Sequence, residues 1–343
     1  MSIAILFGAV SYEHEISIVS AISMKNVIKG ELVYIFCDKD REFYMIDSKI
    51  IKSSLFSSGK YKKEPRLMIK NGGFFQKTLM GSKKIEFDVL LNLSHGADGE
   101  DGKLAGMLEF FNIAFIGPRM EACVVSFNKL FTKHYANEHG VKTLDYQTIT
   151  RENQEITIEY PFILKPLRLG SSIGVSIVKS ESELDYALDV AFEFDDTILV
   201  EPYIKDVLEY NVAGIKADDF KLSIVEEPKK EEFLDFDKKY LDFSRTNKIE
   251  EAKISKELKT DLQNSFKKIY NTTFEGSLIR CDFFVIKDEV YLNEINPIPG
   301  SMSNYLFENF NKTIKTLAKH LKTSNKIPIT YEYLHSIAKA KGK

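Results

Sequence analysis

The chain opens on apolar runs that are continuous, with no polar alternation. Ile3-Ala-Ile-Leu-Phe7 and Leu32-Val-Tyr-Ile-Phe-Cys37 lack a solvent face, as strands covered on both sides of a parallel sheet require. Between them Ile16, Val19, Ile22 and Val27 recur at helical spacing up to Gly30, and Ser11 at the end of the turn Gly8-Ala-Val-Ser11 is placed to cap that helix. Phe87-Asp-Val-Leu-Leu-Asn-Leu93 is a later strand, followed by a helix over residues 103–111 and by Ile113-Ala-Phe-Ile-Gly117-Pro118. Strand, turn and helix in repetition predict an α/β unit with a doubly wound parallel sheet, whose ligands bind at the carboxyl ends of its strands.

Beyond Gly117-Pro118 the pattern changes. A helical stretch over residues 123–139 carries Lys129 and Lys133, both read as surface lysines. Residues 160–178 read as a strand ending in Lys165, a loop holding Gly170, Ser171, Ser172 and Gly174, and a second strand. This is no Walker A sequence. It is a glycine-bearing hairpin that suits either phosphates or a plain turn. Thr197-Ile-Leu-Val-Glu201-Pro-Tyr-Ile204 is a strand stopped by proline, with Glu209 a short step later. Such a stop exposes backbone N–H and C=O groups that can read an adenine edge, or simply ends a strand. Residues 226–248 are densely charged yet hold Phe233, Phe236, Tyr240 and Phe243, which fits a mobile lid as well as a surface loop. A helix over residues 255–270 follows, and from Tyr305 the chain reads as a helix with a basic end.

The stretch 280–300, RCDFFVIKDEVYLNEINPIPG, carries the most chemistry. It predicts a β-hairpin turning at Lys287-Asp288-Glu289, which sets Ile286 opposite Val290, Phe284 opposite Leu292, Asp282 opposite Glu294 and Arg280 opposite Asn296. Facing carboxylates repel unless a positive charge lies between them, and Asp, Glu and an Asn carbonyl are the oxygen donors that hold Mg2+. An edge hairpin with a solvated acidic end is the other reading. A two-residue turn would put Asp282 and Glu294 on opposite faces.

Composition narrows the classes. A length of 343 residues suits two or three domains. With 44% hydrophobic and 28% charged residues the chain is globular. A formal charge of -3 offers no basic field for nucleic acid and no polybasic membrane patch. No run is long enough to span a bilayer, residues 1–10 are too short for a signal peptide, and Cys37, Cys123 and Cys281 are too far apart for a CxxC site. These features point to the cytoplasm.

Two polar clusters fall at predicted strand ends of the first unit. Glu13-His-Glu15 opens the first helix, and Ser94-His-Gly-Ala-Asp-Gly-Glu-Asp-Gly102 is a glycine-rich loop with His95 in it. With these in place, five segments in order carry a resemblance. They are Glu13-His-Glu-Ile-Ser17, His95-Gly-x-x-Gly-Glu-Asp-Gly102, Lys165-Pro-x-x-x-Gly-Ser-Ser172, Asp237-x-Lys-Tyr240, and Arg280-x-Asp282 with Glu294-x-Asn-x-x-Pro-Gly300. From Phe7 to about Leu321 the chain resembles the D-alanine-D-alanine ligases of the ATP-grasp superfamily.

The resemblance implies a two-part ATP-grasp fold after the first unit, α+β overall. Its domains would be residues 1–118, 119–206 and 207–343, with the lid at 226–248. Asp282, Glu294 and Asn296 would hold two Mg2+ (or Mn2+) ions. Lys129 and Lys165, with Lys239 from the lid, would hold ATP phosphates, Glu201 with Tyr203 and Ile204 the adenine, and Glu209 the ribose. Glu15 would take the ammonium of the first D-alanine and link through Ser171 to Tyr240. His95 would lie beside that substrate, and Arg280 with the Gly300 N–H would form an oxyanion site.

Some positions depart from the family pattern: Ala9 follows Gly8, Asn128 precedes Lys129, the spacing from Glu201 to Glu209 is one residue longer than usual, and Met302 and Tyr305 stand where the family has Thr and Ser. Lys239 or backbone near Leu306 would then serve the acceptor, for which D-serine or D-lactate is the alternative to D-alanine; the Tyr240 hydroxyl favours an amine. A catalytically weak nucleotide-binding protein of the same fold is a further alternative. The family implies a homodimer.

Overall fold

The computed structural model describes residues 1–228, 249–321 and 327–341. Most of the predicted lid, with Asp237, Lys239 and Tyr240, therefore lies outside the described residues.

The first sheet is built on β1 (Ile3–Gly8), buried along its whole length, with β2 (Leu32–Cys37) on one side and β7 (Val89–Asn92) on the other, both parallel to it. β8 (Phe115–Ile116) continues the parallel half. Beyond β2 the sheet extends through an antiparallel meander that periodicity did not reveal: β3 (Phe43–Ile46), β4 (Arg66–Lys70), β5 (Gly73–Thr78) and β6 (Gly81–Lys84). These strands are short and increasingly exposed outward, so their brief apolar stretches show no sustained period. The edge strand β6 has all four residues exposed and ends in two lysines, which discourages pairing with another chain.

Helix α1 (His14–Val27) buries Ile16, Ile18, Ala21 and Met24 against this sheet. Ser11 is not its N-cap. The residue before the helix is Glu13, whose N–H donates to the Ser11 hydroxyl at 2.9 Å within the preceding turn. That turn carries Gly8 and Ala9 at φ 94° and 73°. A Cβ on Gly8 would stand 2.2 Å from the Cys37 carbonyl oxygen, so this position needs glycine. Ala9 adopts the same left-handed region while fully buried, at a cost of about 1–2 kcal/mol. Helices α2 (Ser53–Ser57) and α3 (Lys103–Phe110) complete this part.

The predicted helix over 123–139 is two, α4 (Met120–Phe127) and α5 (Lys129–Glu138). Asn128 breaks them and its side chain caps α5, accepting from Leu130 N–H at 3.0 Å and Phe131 N–H at 3.3 Å. Then come β9 (Gln147–Thr150), β10 (Phe162–Pro166), β11 (Ser176–Val178), α6 (Leu184–Phe192) and β12 (Thr197–Pro202), forming an antiparallel sheet in the order β11-β10-β12-β9. A third sheet, in the order β14-β13-β15-β16, joins β13 (Leu208–Lys216), β14 (Phe220–Leu222), β15 (Ile279–Ile286) and β16 (Glu289–Asn296). Helix α7 (Lys256–Tyr270), capped by the Ser255 hydroxyl, buries Leu262, Phe266, Ile269 and Tyr270 over it. The chain after the third sheet does not enter a helix at Tyr305. A tight turn spans Gly300–Leu306, α8 (Phe310–Lys319) follows it, and an exposed helix α9 (Glu332–Lys341) comes last.

One core joins the beginning and end of the chain: Phe7, Met24 and Tyr34 share a cluster with Ile298, Met302, Tyr305 and Leu306. Tyr34 is fully buried there, and its hydroxyl has no hydrogen-bond partner among the described residues, so burial pushes the phenol up to about 12. Removing a buried group that lacks a partner relieves its desolvation cost. Tyr34→Phe is therefore expected to raise the thermal midpoint, by about 1 kcal/mol in stability; a lowered midpoint would show that the hydroxyl has a partner.

Candidate active site

The hairpin β15–β16 turns on two residues, not three. Lys287 and Asp288 both lie in the left-handed region, at φ 50° and 62°, as a tight two-residue turn demands. Ile286 then pairs with Glu289, Val285 with Val290, Phe284 with Tyr291 and Phe283 with Leu292, so the expected pairs near the turn are wrong by one residue. Between Asp282 and Phe283 the register shifts, leaving Asn293 as the extra residue of a bulge, and beyond it Asp282 pairs with Glu294 and Arg280 with Asn296. The predicted ionic end forms after all, by two compensating steps.

On that end Arg280 meets Asp282 as a two-pronged fork, Nε to Oδ1 at 2.6 Å and Nη2 to Oδ2 at 2.7 Å. Asn296 donates to Asp282 at 3.0 Å. Burial, together with Glu294 across the strand, outweighs Arg280 and pushes the Asp282 carboxyl up to about 7. The confronted carboxylates are thus short of positive charge, and their oxygen donors suit a hard divalent cation. Among the described residues no three His, Cys, Asp or Glu side chains gather as a metal cluster, so an ion would rest on two carboxylates, an amide and substrate oxygens.

Glu13, rather than Glu15, faces this end of the molecule. The Ser171 hydroxyl donates to Glu13 Oε1, whereas Glu15 lies exposed on α1. Glu13 is 5% exposed and its Oε2 has no hydrogen-bond partner. The carboxylate is wedged between two loops: a Cβ on Gly96 would stand 2.6 Å from Oε2, and one on Gly170 would stand 3.2 Å from both oxygens. Burial raises the Glu13 carboxyl, opposed by the Ser171 hydrogen bond and by Lys129. His95, also buried, shares Nε2 with the Ser20 hydroxyl at 3.0 Å and has Nδ1 3.9 Å from Glu100. Burial holds its imidazole down to about 4, so it is neutral at pH 7. Glu100, which accepts from the Gly96 N–H at 3.0 Å, is pushed up by burial and by Glu13.

The lysines gather on the second sheet. Lys129 donates to the Leu169 carbonyl, and burial lowers it despite Glu294. Lys165 reaches Glu201 at 2.5 Å and the Asn293 side chain at 3.3 Å. Lys133 is not a surface lysine: it is 3% exposed and pairs with the other oxygen of Glu201 at 2.5 Å. The two lysines hold the buried Glu201 carboxyl down at about 2 against its desolvation. Of the other expected nucleotide contacts, the Tyr203 N–H is taken by the Pro161 carbonyl at 3.0 Å, so any part of Tyr203 in reading a base falls to its carbonyl. Ile204 and Glu209 are half-buried, and Glu209 is paired with Phe284 in the ladder.

Gly300 opens the turn that closes the site. Ser301, Met302 and Ser303 run left-handed at φ 47°, 55° and 47°, a strained run held by the Met302 N–H on Pro299 O at 2.7 Å and by the Asn304 amide on Ser301 O at 2.9 Å. Met302 points into the core shared with α1. The Tyr305 hydroxyl donates to Glu226 at 3.4 Å, and Asn211 donates to the same oxygen at 3.0 Å. Leu306 is 1% exposed and its carbonyl accepts from the Ile224 N–H at 3.3 Å, which ties the end of the turn to the third sheet.

Four residues escaped sequence reasoning, among them Glu13, two positions from the expected Glu15. Glu100 stood inside a quoted motif. Lys133 lies one helical turn from Lys129, and that shared face was the available signal. Glu226 gave none.

The match to known proteins covers both halves of the chain. Residues 2–118 fit the model described as the D-ala D-ala ligase N-terminus, and residues 133–316 the D-ala D-ala ligase C-terminus. The D-alanine--D-alanine ligase of Sulfurovum sp. is 61% identical over 345 residues, covering 100% of each chain. The crystal structure of a D-alanine-D-alanine ligase from Helicobacter pylori superposes with a TM-score of 0.85 at 47% identity, covering 95% of this chain and 100% of that one. A D-Ala:D-Ser ligase, VanG from Enterococcus faecalis, gives 0.72 at 25% identity over 93% and 97%.

The depressed His95 fixes a sign. Its folded value lies near 4 and its ordinary value is 6.5, so between these the unfolded chain binds the extra proton and stability falls as pH drops. Glu13 and Glu100, raised by burial, act oppositely. Relative to a His95→Gln variant, the protein should therefore lose stability from pH 6.5 down to 4, by up to about 3 kcal/mol, in denaturant melts. Parallel curves would refute a neutral buried imidazole.

Proposed function

The chain belongs to the D-alanine-D-alanine ligase family, and from this premise we propose how its residues divide the reaction. The protein is an ATP-dependent ligase that joins two D-alanines for peptidoglycan. What carries the residue assignment is the unpartnered Oε2 of buried Glu13. A buried carboxylate oxygen without a donor is costly, and an ammonium ion supplies what it lacks. Glu13 therefore takes the amino group of the first D-alanine, and Ser171 orients it.

Held there, the substrate carboxylate attacks the γ-phosphate and becomes an acyl phosphate, which the amine of the second D-alanine opens. Lys129 and Lys165 neutralise phosphate charge, since phosphoryl transfer depends on positioning and charge more than on covalent help. Asp282, Glu294 and Asn296 would hold magnesium, which when bound would supply Lewis acidity to the phosphates. Arg280, locked by its fork to Asp282, and the Gly300 N–H stabilise the oxyanion of the tetrahedral intermediate. His95 stays neutral beside the first substrate and donates or accepts without adding charge. Glu201 and Ile204 receive the adenine, and Glu209 the ribose. The Tyr305 hydroxyl, fixed by Glu226, borders the acceptor side in place of a serine. A homodimer and a cytoplasmic location belong to the same proposal and rest on the family; among the described residues no helix is long and apolar enough to cross a membrane.

Two predictions separate these assignments. Glu13→Gln should raise KM for the first D-alanine on the order of a hundredfold, the loss of one charge-assisted contact, while Glu15→Gln stays within a few-fold of the parent; the reverse order would return the ammonium to Glu15. Asp282→Ala and Glu294→Ala should abolish phosphate release from ATP and Mg2+ with D-alanine while circular dichroism is unchanged. With the parent protein the product mass should be that of D-alanyl-D-alanine, and a different product in mixed assays with D-serine or D-lactate would move the acceptor.

A further inference from the structure

Among the described residues, Lys133 is the one fully buried lysine the reaction above does not use. Its ammonium lies 2.5 Å from Glu201 Oε1, donates to the Leu144 carbonyl at 3.1 Å and sits 5.0 Å over the Tyr146 ring. Every contact fixes it in place. Lys165, on the other oxygen of the same carboxylate, is different: its side chain is 15% exposed against 4% for Lys133, and its second partner is the neutral Asn293 amide at 3.3 Å.

One carboxylate thus holds two ammonium groups, one immobile and one near the mouth of the site. Polyphosphate draws Lys165 away from Glu201. A buried carboxylate stripped of its counter-ion is strongly destabilised, so Glu201 alone would either keep Lys165 from the phosphates or leave its place to follow it. We propose that Lys133 is a positioning residue for nucleotide recognition: it stays on Glu201 when Lys165 turns to phosphate, and so keeps Oε2 aimed as the acceptor for the purine 6-amino group. The inference rests on Glu201 receiving adenine.

The test compares KM for ATP with KM for purine riboside triphosphate, which lacks the 6-amino group, in the full-length protein with Mg2+ and D-alanine. In Lys133→Met, KM for ATP should rise tenfold or more and KM for the analogue by a smaller factor, so that the preference for the amino group shrinks, with KM for D-alanine unchanged. Equal factors for the two nucleotides, or no change, would overturn the proposal, because losing a lysine of purely structural value would raise both KM values alike. Lys133→Arg should keep most of the preference. Should Lys133→Met fail to fold, the double variant Lys133→Met with Glu201→Gln removes both buried charges together; its preference should match that of Glu201→Gln alone, and a further loss would overturn the proposal. Glu201→Gln by itself reports on the underlying reading: an undiminished preference there means Glu201 does not receive adenine, and Lys133 has nothing to position.

Discussion

Charge taken out of water has to be met by charge or by donors, and the whole site is an arrangement of that constraint. Four carboxylates, Glu13, Glu100, Glu201 and Asp282, lie deep in the protein. They are compensated to different degrees. Glu201 has two ammonium groups and stays strongly acidic. Asp282 has a guanidinium fork but also Glu294 across the strand, and its acidity is weakened. Glu13 has one hydroxyl and an oxygen with nothing on it. Reading from the best compensated to the least therefore runs from groups that organise other residues to the group that waits for substrate. The same desolvation that makes each carboxylate costly makes its attraction for an ammonium or a metal ion strong.

Much of the fold was legible because its central elements are buried on two sides. β1 and β2 are continuous apolar runs and stand where the sequence put them, and Ser255 marks the start of α7. The meander β3–β6 was not legible, since β3 is only four residues long and the strands outward of it become progressively exposed. Asn128 divided a continuous helical pattern by a local cap, a side-chain hydrogen bond that hydrophobic spacing does not register.

The site was legible in composition and less so in geometry. Glu13 and Glu15 stand two apart at the start of one helix, and only the docking of the Gly170-Ser171 loop selects the first. Lys133 looked like a surface residue because the helix that carries it is also exposed along one side; a partner more than sixty positions later in the chain buries it. Met302 and Tyr305, which depart from the family pattern, belong to a left-handed turn whose side chains close the core between the two ends of the chain, so a change there reaches the packing of α1 as well as the acceptor.

The bulge at Asn293 has a meaning beyond its own strand. A hairpin assigns side chains to faces by counting residues, and the two-residue turn gives this one the wrong count for a carboxylate pair. Asn293 restores the parity. What this segment must preserve is thus a number, the odd residue between Leu292 and Glu294, together with turn residues that tolerate left-handed backbone. A change of turn length without a matching change at the bulge, or the reverse, would send Asp282 and Glu294 to opposite faces, so turn and bulge act as one device although they stand apart along the strand.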